Sequence, residues 1–427
     1  MFQQLLQRLF VTAQLAALMT LASCGGGGNS ERSQETLTAV VDAGSSGSRI
    51  YLYKTTPDDS FIQIKQLYTN KDVPHGLSWY DGTQGAASAP GNAGASGIEP
   101  LLSKLQVYLD ANGIAKNRVT VSVLATAGMR LVEADTASAI YQSVRSTITR
   151  NGFVIRQVGT LSGQNEGLYA WADVNYLAGN FKSGKLTQGI VELGGASSQV
   201  AFVTSSVQDP NVVTPVVNGV RYPVFSVSYL GLGQSQARLA MINDSASGGV
   251  NASVCYPNNT TGSPAAFDAD AGNIRISTTG SSYSAACYSA YAKVVTNVSA
   301  SAGNNYPATQ ISSLGGFSTT QFLGLSALYN VLKDWDAIDA ANPQQSLEDA
   351  VASKCSGSNA WPRVLAQYKN VLSVFSQNAC ANATYLNAYV YGRQALGINP
   401  TRLLGANTIN GDDLTWTRGF LVVEATP

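Results

Sequence analysis

Apolar residues recur with two different periods along the first part of the chain. Residues 36–42 and 48–53 are short apolar runs, and the glycines and serines between them predict a β-hairpin with a tight tip. After Pro100, leucines at 101, 105 and 109 predict a helix with one apolar face. Predicted strands at 119–124 and 153–158 flank a second amphipathic helix, so the order of elements indicates an α/β domain.

The same order of elements then begins again. Residues 164–177 predict a helix, and residues 188–193 and 198–203 predict two strands around a second glycine turn. The first strand of each hairpin ends in a carboxylate, Asp42 in one and Glu192 in the other. We therefore predict an internal structural repeat, in which two α/β lobes each present an acid-headed glycine turn to a shared cleft.

The two turns have the composition of an anion-binding site. Glycine lets backbone N–H groups converge on an anion without obstruction by Cβ, and Ser45, Ser46 and Ser48 add hydroxyl donors. Many hairpins use these residues for geometry alone, but two equivalent turns that each follow a carboxylate favour phosphate. Because a carboxylate beside a phosphate normally requires a divalent cation between them, Asp42 and Glu192 are candidate ligands that act through water.

Two further segments carry polar groups that suit phosphate chemistry. Thr126 and Arg130 follow the strand at 119–124, where they can contact phosphate and offset its charge. A strand-to-helix turn with a solvated arginine would explain the same residues. Glu166 lies at the start of a predicted helix, where it can act as a general base toward water. The alternative for Glu166 is a favourable interaction with the helix dipole alone.

The charge balance limits the kind of ligand. Lysine and arginine total 26, aspartate and glutamate total 26, and the sequence contains no run of five basic residues. We therefore expect no binding of nucleic acid. Charged residues make up only 12% of the chain, about half the usual share, and a surface of small neutral polar groups favours an exported protein.

The first 24 residues have the pattern of an export signal. Arg8 precedes an apolar stretch at 10–21 that is too short to span a membrane. The stretch ends in Leu-Ala-Ser-Cys at 21–24, which resembles a bacterial lipobox whose Cys24 would be lipidated. An ordinary signal peptide with a coincidental cysteine is the alternative. Residues 25–35 begin with four glycines and predict a flexible tether.

The cysteines beyond the signal predict disulfides. Cys255, Cys287, Cys355 and Cys380 permit three pairings, and export to an oxidising compartment favours their oxidation. Their order favours Cys255–Cys287 and Cys355–Cys380, which would close two local loops. Metal binding is the competing interpretation, but no C-x-x-C spacing occurs and His75 is the only histidine.

Five segments resemble, in chain order, the apyrase motifs of the nucleoside triphosphate diphosphohydrolase family (apyrases and ecto-NTPDases), here in a bacterial member. They read DAGSSGSR at 42–49, ATAGMR at 125–130, GQNEGLYAWADVNYL at 163–177, ELGGASSQ at 192–199 and DLTWTRG at 413–419. PHGLS at 74–78, SYLGLG at 228–233 and GGFS at 315–318 are similar too. The family belongs to the superfamily of actin-like proteins, sugar kinases and heat-shock ATPases.

The resemblance implies an α/β fold of two ribonuclease H-like (actin-like ATPase) lobes with a nucleotide cleft between them. We expect lobe I to comprise residues 36–162 and 402–427. Lobe II would comprise residues 163–401, with elaborations that carry the disulfides.

The resemblance also implies a role for individual residues. Asp42 and Glu192 would organise Mg²⁺ or Ca²⁺ and its waters, with Trp416 nearby. Glu166 would be the base, and Ser197 and Gln199 would hold the attacking water. Thr126 and Arg130 would contact the phosphate or offset its charge. The remaining phosphate-binding residues would be Gly44, Ser45, Ser46, Gly47, Ser48, Gly194, Gly195 and Ala196. Tyr385, Tyr389, Tyr391 and Arg393 lie where relatives stack the nucleobase.

Three positions depart from the family's pattern. Glu192 stands where aspartate is usual, and one extra methylene moves the carboxylate by ~1.5 Å, enough to change metal choice. Gly47 replaces a histidine or similar residue, which puts diphosphate use in doubt. Arg418 replaces an apolar residue, and the sequence offers no interpretation of this change.

The expected function is metal-dependent hydrolysis of nucleoside tri- and diphosphates by in-line water attack. We expect a monomer in the periplasm, tethered to the outer membrane or secreted, with the lipid anchor as its only membrane contact. The alternative is a nucleotide-binding or sensing lipoprotein of the same fold that does not hydrolyse. A third possibility is a kinase or polyphosphatase of the superfamily; the export signal argues against a kinase.

Overall fold

The computed structural model describes residues 35–58, 61–73, 75–181, 185–246, 252–257, 285–301, 304, 306–371 and 373–424. The predicted signal segment, Cys24 and nearly all of the tether lie outside these ranges, so those predictions stay predictions. No helix in the described ranges is both long and apolar enough to cross a membrane.

The first lobe is built on a five-stranded sheet with strand order β3-β2-β1-β4-β5. β1 is antiparallel to β2 and parallel to β4, and β4 is parallel to β5. The predicted leucine face at 101, 105 and 109 is fully buried against this sheet. The strands are β1 (Thr36–Ala43), β2 (Ser48–Thr56), β3 (Gln63–Val73), β4 (Val119–Ala125) and β5 (Val154–Thr160).

The second lobe is built on a six-stranded sheet with strand order β13-β12-β6-β7-β11-β8. β6 and β7 are antiparallel and enclose the second glycine turn, so both predicted hairpins are present. The pairs β9–β10 and β14–β15 form two small separate sheets. The strands are β6 (Gly189–Leu193), β7 (Ser197–Val203), β8 (Val212–Val213), β9 (Val216–Val217), β10 (Val220–Arg221), β11 (Val224–Leu230), β12 (Phe322–Ser326), β13 (Leu403–Gly405), β14 (Thr408–Ile409) and β15 (Asp412–Asp413).

Two helices, one early and one at the end of the chain, pack against each other. An ideal Cβ at Gly419 of α10 would lie 1.7 Å from the carbonyl oxygen of Tyr169 in α3. Only glycine therefore permits this approach. The helices are α1 (Glu99–Ala111), α2 (Ala134–Arg150), α3 (Gly163–Leu177), α4 (Gln234–Ala246), α5 (Ala285–Ser299), α6 (Ala327–Asp334), α7 (Pro343–Cys355), α8 (Ala360–Gln367), α9 (Val374–Leu386) and α10 (Trp416–Glu424).

The expected α/β fold of two lobes is confirmed, but one boundary needs correction. We assigned residues 402–427 to lobe I, whereas β13 pairs in parallel with β12 at the edge of the second sheet. Main-chain hydrogen bonds therefore hold residues 403–405 to lobe II.

The predicted disulfides, Cys255–Cys287 and Cys355–Cys380, are both present. Each joins elements of the second lobe: the first ties residue 255 to α5, and the second ties α7 to α9. All four cysteines are buried in the core of this lobe.

Candidate active site

The tips of the two predicted hairpins face each other across one cavity. An ideal Cβ at Gly195 would lie 2.8 Å from Ser45 Oγ, so a side chain at 195 would occupy space between the turns. The cavity has a volume of about 650 Å³, within the ~300–1,000 Å³ usual for ligand sites. The predicted residues that line it are Asp42, Gly44, Ser45, Ser46, Thr126, Glu166, Glu192, Gly194, Gly195, Ala196, Ser197 and Trp416.

Asp42 lies at the end of β1 with one carboxylate oxygen unpaired. Arg49 Nη1 donates to its Oδ2 over 3.4 Å, and the Trp416 side chain also hydrogen bonds to this carboxylate. Its Oδ1 is buried without a hydrogen-bond partner. Burial raises the pKa of Asp42, although the Arg49 charge opposes the rise.

Glu192 lies at the end of β6 and, like Asp42, has one carboxylate oxygen unpaired. Ser326 Oγ donates to its Oε1 over 3.2 Å, and its Oε2 is buried without a partner. Burial, together with the charges of Glu166 and Asp42, raises the pKa of Glu192 to about 8. An unpaired buried carboxylate oxygen is costly, so these two oxygens suit a cation.

Glu166 lies in the first turn of α3, which the Ser162 side chain caps by accepting from the backbone N–H of Asn165. The Glu166 carboxylate is paired with the Arg130 guanidinium, and Gln199 Nε2 donates to its Oε2 over 3.2 Å. Burial raises the pKa of Glu166 to about 7 against the opposing charge of Arg130. A carboxylate with a pKa near neutrality suits a general base.

A hydroxyl that we did not predict completes this network. Ser228 Oγ lies 3.1 Å from Arg130 Nη1 and 2.9 Å from Gln199 Nε2, and Gln199 Nε2 also lies 2.6 Å from Ser197 Oγ. Arg130 and Gln199 themselves do not line the cavity. Both contact the Glu166 carboxylate and so hold it in place. Ser228 begins the SYLGLG segment, which could have indicated it.

Two residues of the first turn lie away from the cavity. Gly47 and Ser48 do not line it. Ser48 is fully buried, and its hydroxyl donates to the backbone oxygen of His75 over 3.3 Å. The expectation that Ser48 offers a hydroxyl to phosphate is therefore wrong, because that donor already binds the main chain.

The predicted nucleobase residues also need correction. Tyr385, Tyr389 and Tyr391 are buried in the core of the second lobe, and the Tyr385 hydroxyl donates to the backbone oxygen of Leu232 over 2.5 Å. Arg393 is exposed, and none of the four lines the cavity. A buried ring packed against Tyr389 cannot stack on a ligand.

Other residues line the end of the cavity that lies toward α6 and α9. Tyr368 directs its hydroxyl to Asp334 Oδ2 over 3.0 Å, and Phe375 lines the cavity although 66% of its surface is exposed. No motif indicated these positions. Further lining residues that we did not predict include Arg49, Tyr51, Lys71, Arg238, Asn330, Trp335, Asn382 and Asp413.

A known protein family matches nearly the whole chain, including the residues of this cavity. The model of the GDA1/CD39 (nucleoside phosphatase) family matches residues 29–426. The chain belongs to this family. The match spans all five motifs and the cavity that they line, and it confirms the resemblance to apyrases and NTPDases.

Curated relatives match this chain over part of their length. Probable apyrase 3 of Arabidopsis thaliana is 33% identical over 218 residues, which are 49% of this chain and 43% of the relative. Ectonucleoside triphosphate diphosphohydrolase 2 of Mus musculus is 34% identical over 216 residues, 46% of this chain and 41% of the relative. The chain thus spans less than half the length of these relatives.

One solved structure supports the fold over nearly the whole chain. The crystal structure of nucleoside triphosphate hydrolases from Neospora caninum superposes with a TM-score of 0.61. It covers 92% of this chain and 93% of that chain at 17% identity. At this identity the likeness concerns the fold alone.

Proposed function

We propose that this protein removes the terminal phosphate from nucleoside triphosphates, and from diphosphates, by direct attack of water. The observation that carries the proposal is the position of Glu166, whose carboxylate lines the cavity between two glycine turns and is held there by Gln199 and Arg130. Phosphoryl transfer depends mainly on positioning and on stabilising charge. The opposed turns supply backbone N–H groups for both purposes.

Each residue has a defined part in the proposed reaction. Ser45, Ser46 and Thr126 line the cavity with hydroxyl groups that can donate to the terminal phosphate. Glu166 accepts a proton from water while the water oxygen bonds to phosphorus. The bond from phosphorus to the bridging oxygen breaks, and inorganic phosphate and the shortened nucleotide leave. No described cysteine is free to act as a nucleophile, because all four form disulfides.

A divalent cation, Mg²⁺ or Ca²⁺, fits between the turns. The unpaired oxygens Asp42 Oδ1 and Glu192 Oε2 are buried beside the cavity. Mg²⁺ usually keeps several of its waters, so the two carboxylates would bind the ion at least partly through waters. Such an ion would neutralise charge on the phosphates.

The far end of the cavity suits a nucleobase. We place the base against Tyr368 and Phe375, because aromatic rings stack on any nucleobase. Asp334, whose pKa is raised by burial, can accept hydrogen bonds from base or ribose. The three tyrosines predicted for this role lie in the core instead, and Arg393 is exposed without lining the cavity.

Phosphate release by a Glu166→Gln variant tests the proposal. Loss of the base should lower kcat by about 10²–10⁴-fold, while nucleotide still raises Tm. Glu133→Gln is the control, because Glu133 is exposed and makes no side-chain cap at α2. Near-normal turnover by Glu166→Gln would remove Glu166 as the base. Nucleotide binding by the wild type without phosphate release from any nucleotide would favour the non-hydrolysing alternative.

We also propose a location outside the cytoplasm. Two disulfides in the described part of the chain support it, since disulfides are rare in the cytosol. Cell fractionation of the wild type and of Cys24→Ser tests both export and lipidation. Loss of membrane attachment in Cys24→Ser, with export retained, is the expected result.

A further inference from the structure

Arg418, the residue without an explanation in the last motif, forms a buried ion pair. Its Nη1 lies 3.0 Å from Asp173 Oδ1, and each side chain is 1% exposed. Asp173 belongs to α3 and Arg418 to α10, so the pair joins the two helices that Gly419 brings together. The guanidinium carbon also lies 5.6 Å from the centre of the Tyr53 ring.

The pair extends its contacts to the segment just before α10. Arg418 Nη1 donates to the backbone oxygen of Asp413 over 3.3 Å, and Nη2 donates to Asp412 Oδ1 over 3.2 Å. The second oxygen of Asp173 accepts from the backbone N–H of Thr415 over 2.8 Å. Residues 412–415 are thus fixed at both ends by the same pair.

This segment forms one wall of the candidate active site. Asp413, Leu414, Thr415 and Trp416 all line the cavity. The Trp416 side chain hydrogen bonds to Asp42, and Asp413 Oδ2 lies 2.7 Å from Lys71 Nζ, which lines the cavity from β3. A shift of the segment would therefore move the Trp416 partner of Asp42 and the Asp413 partner of Lys71.

We propose that Asp173 and Arg418 are positioning residues, which hold residues 412–416 so that Trp416 orients the Asp42 carboxylate for its cation. Removing one partner of a buried ion pair leaves an uncompensated charge and destabilises strongly, whereas a well-packed apolar pair is often neutral. Packing alone therefore does not require this pair. An apolar pair would fill the space but could not bind the Thr415 N–H or the Asp413 oxygen.

The test compares Asp173→Leu/Arg418→Met with the wild type. We expect Tm without cation to be close to the wild-type value. We expect the cation concentration for half-maximal activity to rise about tenfold, the effect usual for partners that orient metal ligands, and the rise in Tm caused by Ca²⁺ with ADP to shrink. Arg150→Met/Glu99→Leu is the control, because this ion pair lies at the surface between α1 and α2.

Arg418→Lys is the second variant, in case the double variant fails to fold. It keeps a positive charge beside Asp173 but loses the forked contact with residues 412 and 413, so it should fold and show a smaller change in the same direction. An unchanged cation dependence in a folded variant of either kind overturns the proposal. So does a wild type whose Tm does not respond to Ca²⁺ with ADP.

The inference rests on the proposed function for its activity measurement only. If the wild type releases no phosphate from any nucleotide, the hydrolase proposal fails. The Tm response to Ca²⁺ with ADP then still decides whether the pair positions the site.

Discussion

At the scale of single residues, two carboxylates in one cavity are held in different ways. Glu166 has a guanidinium and an amide as partners, whereas Glu192 has one serine hydroxyl. Burial raises both pKa values, to about 7 for Glu166, where the Arg130 charge opposes the rise, and to about 8 for Glu192, where the charges of Glu166 and Asp42 add to it. These surroundings suit Glu166 to accept a proton and Glu192 to bind a cation.

The pH dependence of catalysis should depend on Arg130. Because the Arg130 charge lowers the pKa of Glu166, Arg130→Gln should raise that pKa. The acidic limb of kcat/KM should then move to higher pH, since Glu166 must be deprotonated to act as a base. A pH profile of kcat/KM measures the shift, with Arg150→Gln as the control at the surface. An acidic limb that stays in place would contradict this role for Arg130.

At the scale of elements, α9 and the segment after it show why a position implied by a family resemblance need not be a site position. Tyr385 and Tyr391 belong to this stretch and pack into the core, whereas Phe375, near the start of α9, lines the cavity. The disulfide to α7 fixes the helix through Cys380. Which face of α9 reaches the ligand is thus set by its packing.

Substitution of Phe375 should weaken nucleotide binding. Base stacking on one ring is worth ~1–3 kcal/mol, so Phe375→Ala should raise KM by roughly 5- to 150-fold with little change in kcat. The free energy of unfolding of this variant should change little, because the Phe375 side chain is largely exposed. Tyr391→Phe is the control, since the hydroxyl of this buried residue has no hydrogen-bond partner. Equal KM values in the two variants would place the base elsewhere.

At the scale of the whole molecule, the cavity gathers charge that the fold tolerates poorly without a cation. Asp42, Glu166 and Glu192 come from three elements, β1, α3 and β6, and each has a raised pKa because of burial. Their mutual repulsion adds to this cost. A bound cation would relieve it and stabilise the folded protein.

Stability in EDTA should therefore fall as pH rises. Glu166 and Glu192 have pKa values of about 7 and about 8 in the folded protein, against 4.5 for an exposed glutamate. Between these values the folded state binds more protons than the unfolded state, so the free energy of unfolding decreases with pH. Across this pH window, Tm should fall less in Glu166→Gln/Glu192→Gln than in the wild type in EDTA. It should also fall less in the wild type with Ca²⁺ than in the wild type in EDTA. Identical pH dependence in the wild type and the double variant would show that these carboxylates are not buried as described.

The amino-acid sequence by itself determined the hairpins, the glycine turns and the disulfide order. The reason is that hydrophobic period, turn residues and cysteine spacing are local properties. It also indicated Asp42, Glu166 and Glu192, because each lies at a fixed place on its own strand or helix. The family match agrees with these motifs.

Only the tertiary structure decided which of the predicted side chains reach the cavity. Ser48 and Tyr385 have suitable chemistry, but long-range contacts with His75 and Leu232 use their hydroxyls. Phe375 carries no motif and reaches the cavity through the packing of α9. Arg418 is explained only by the packing of α10 against α3, which brings it to Asp173, 245 positions away along the chain. Such contacts depend on how elements pack, and no local pattern encodes them.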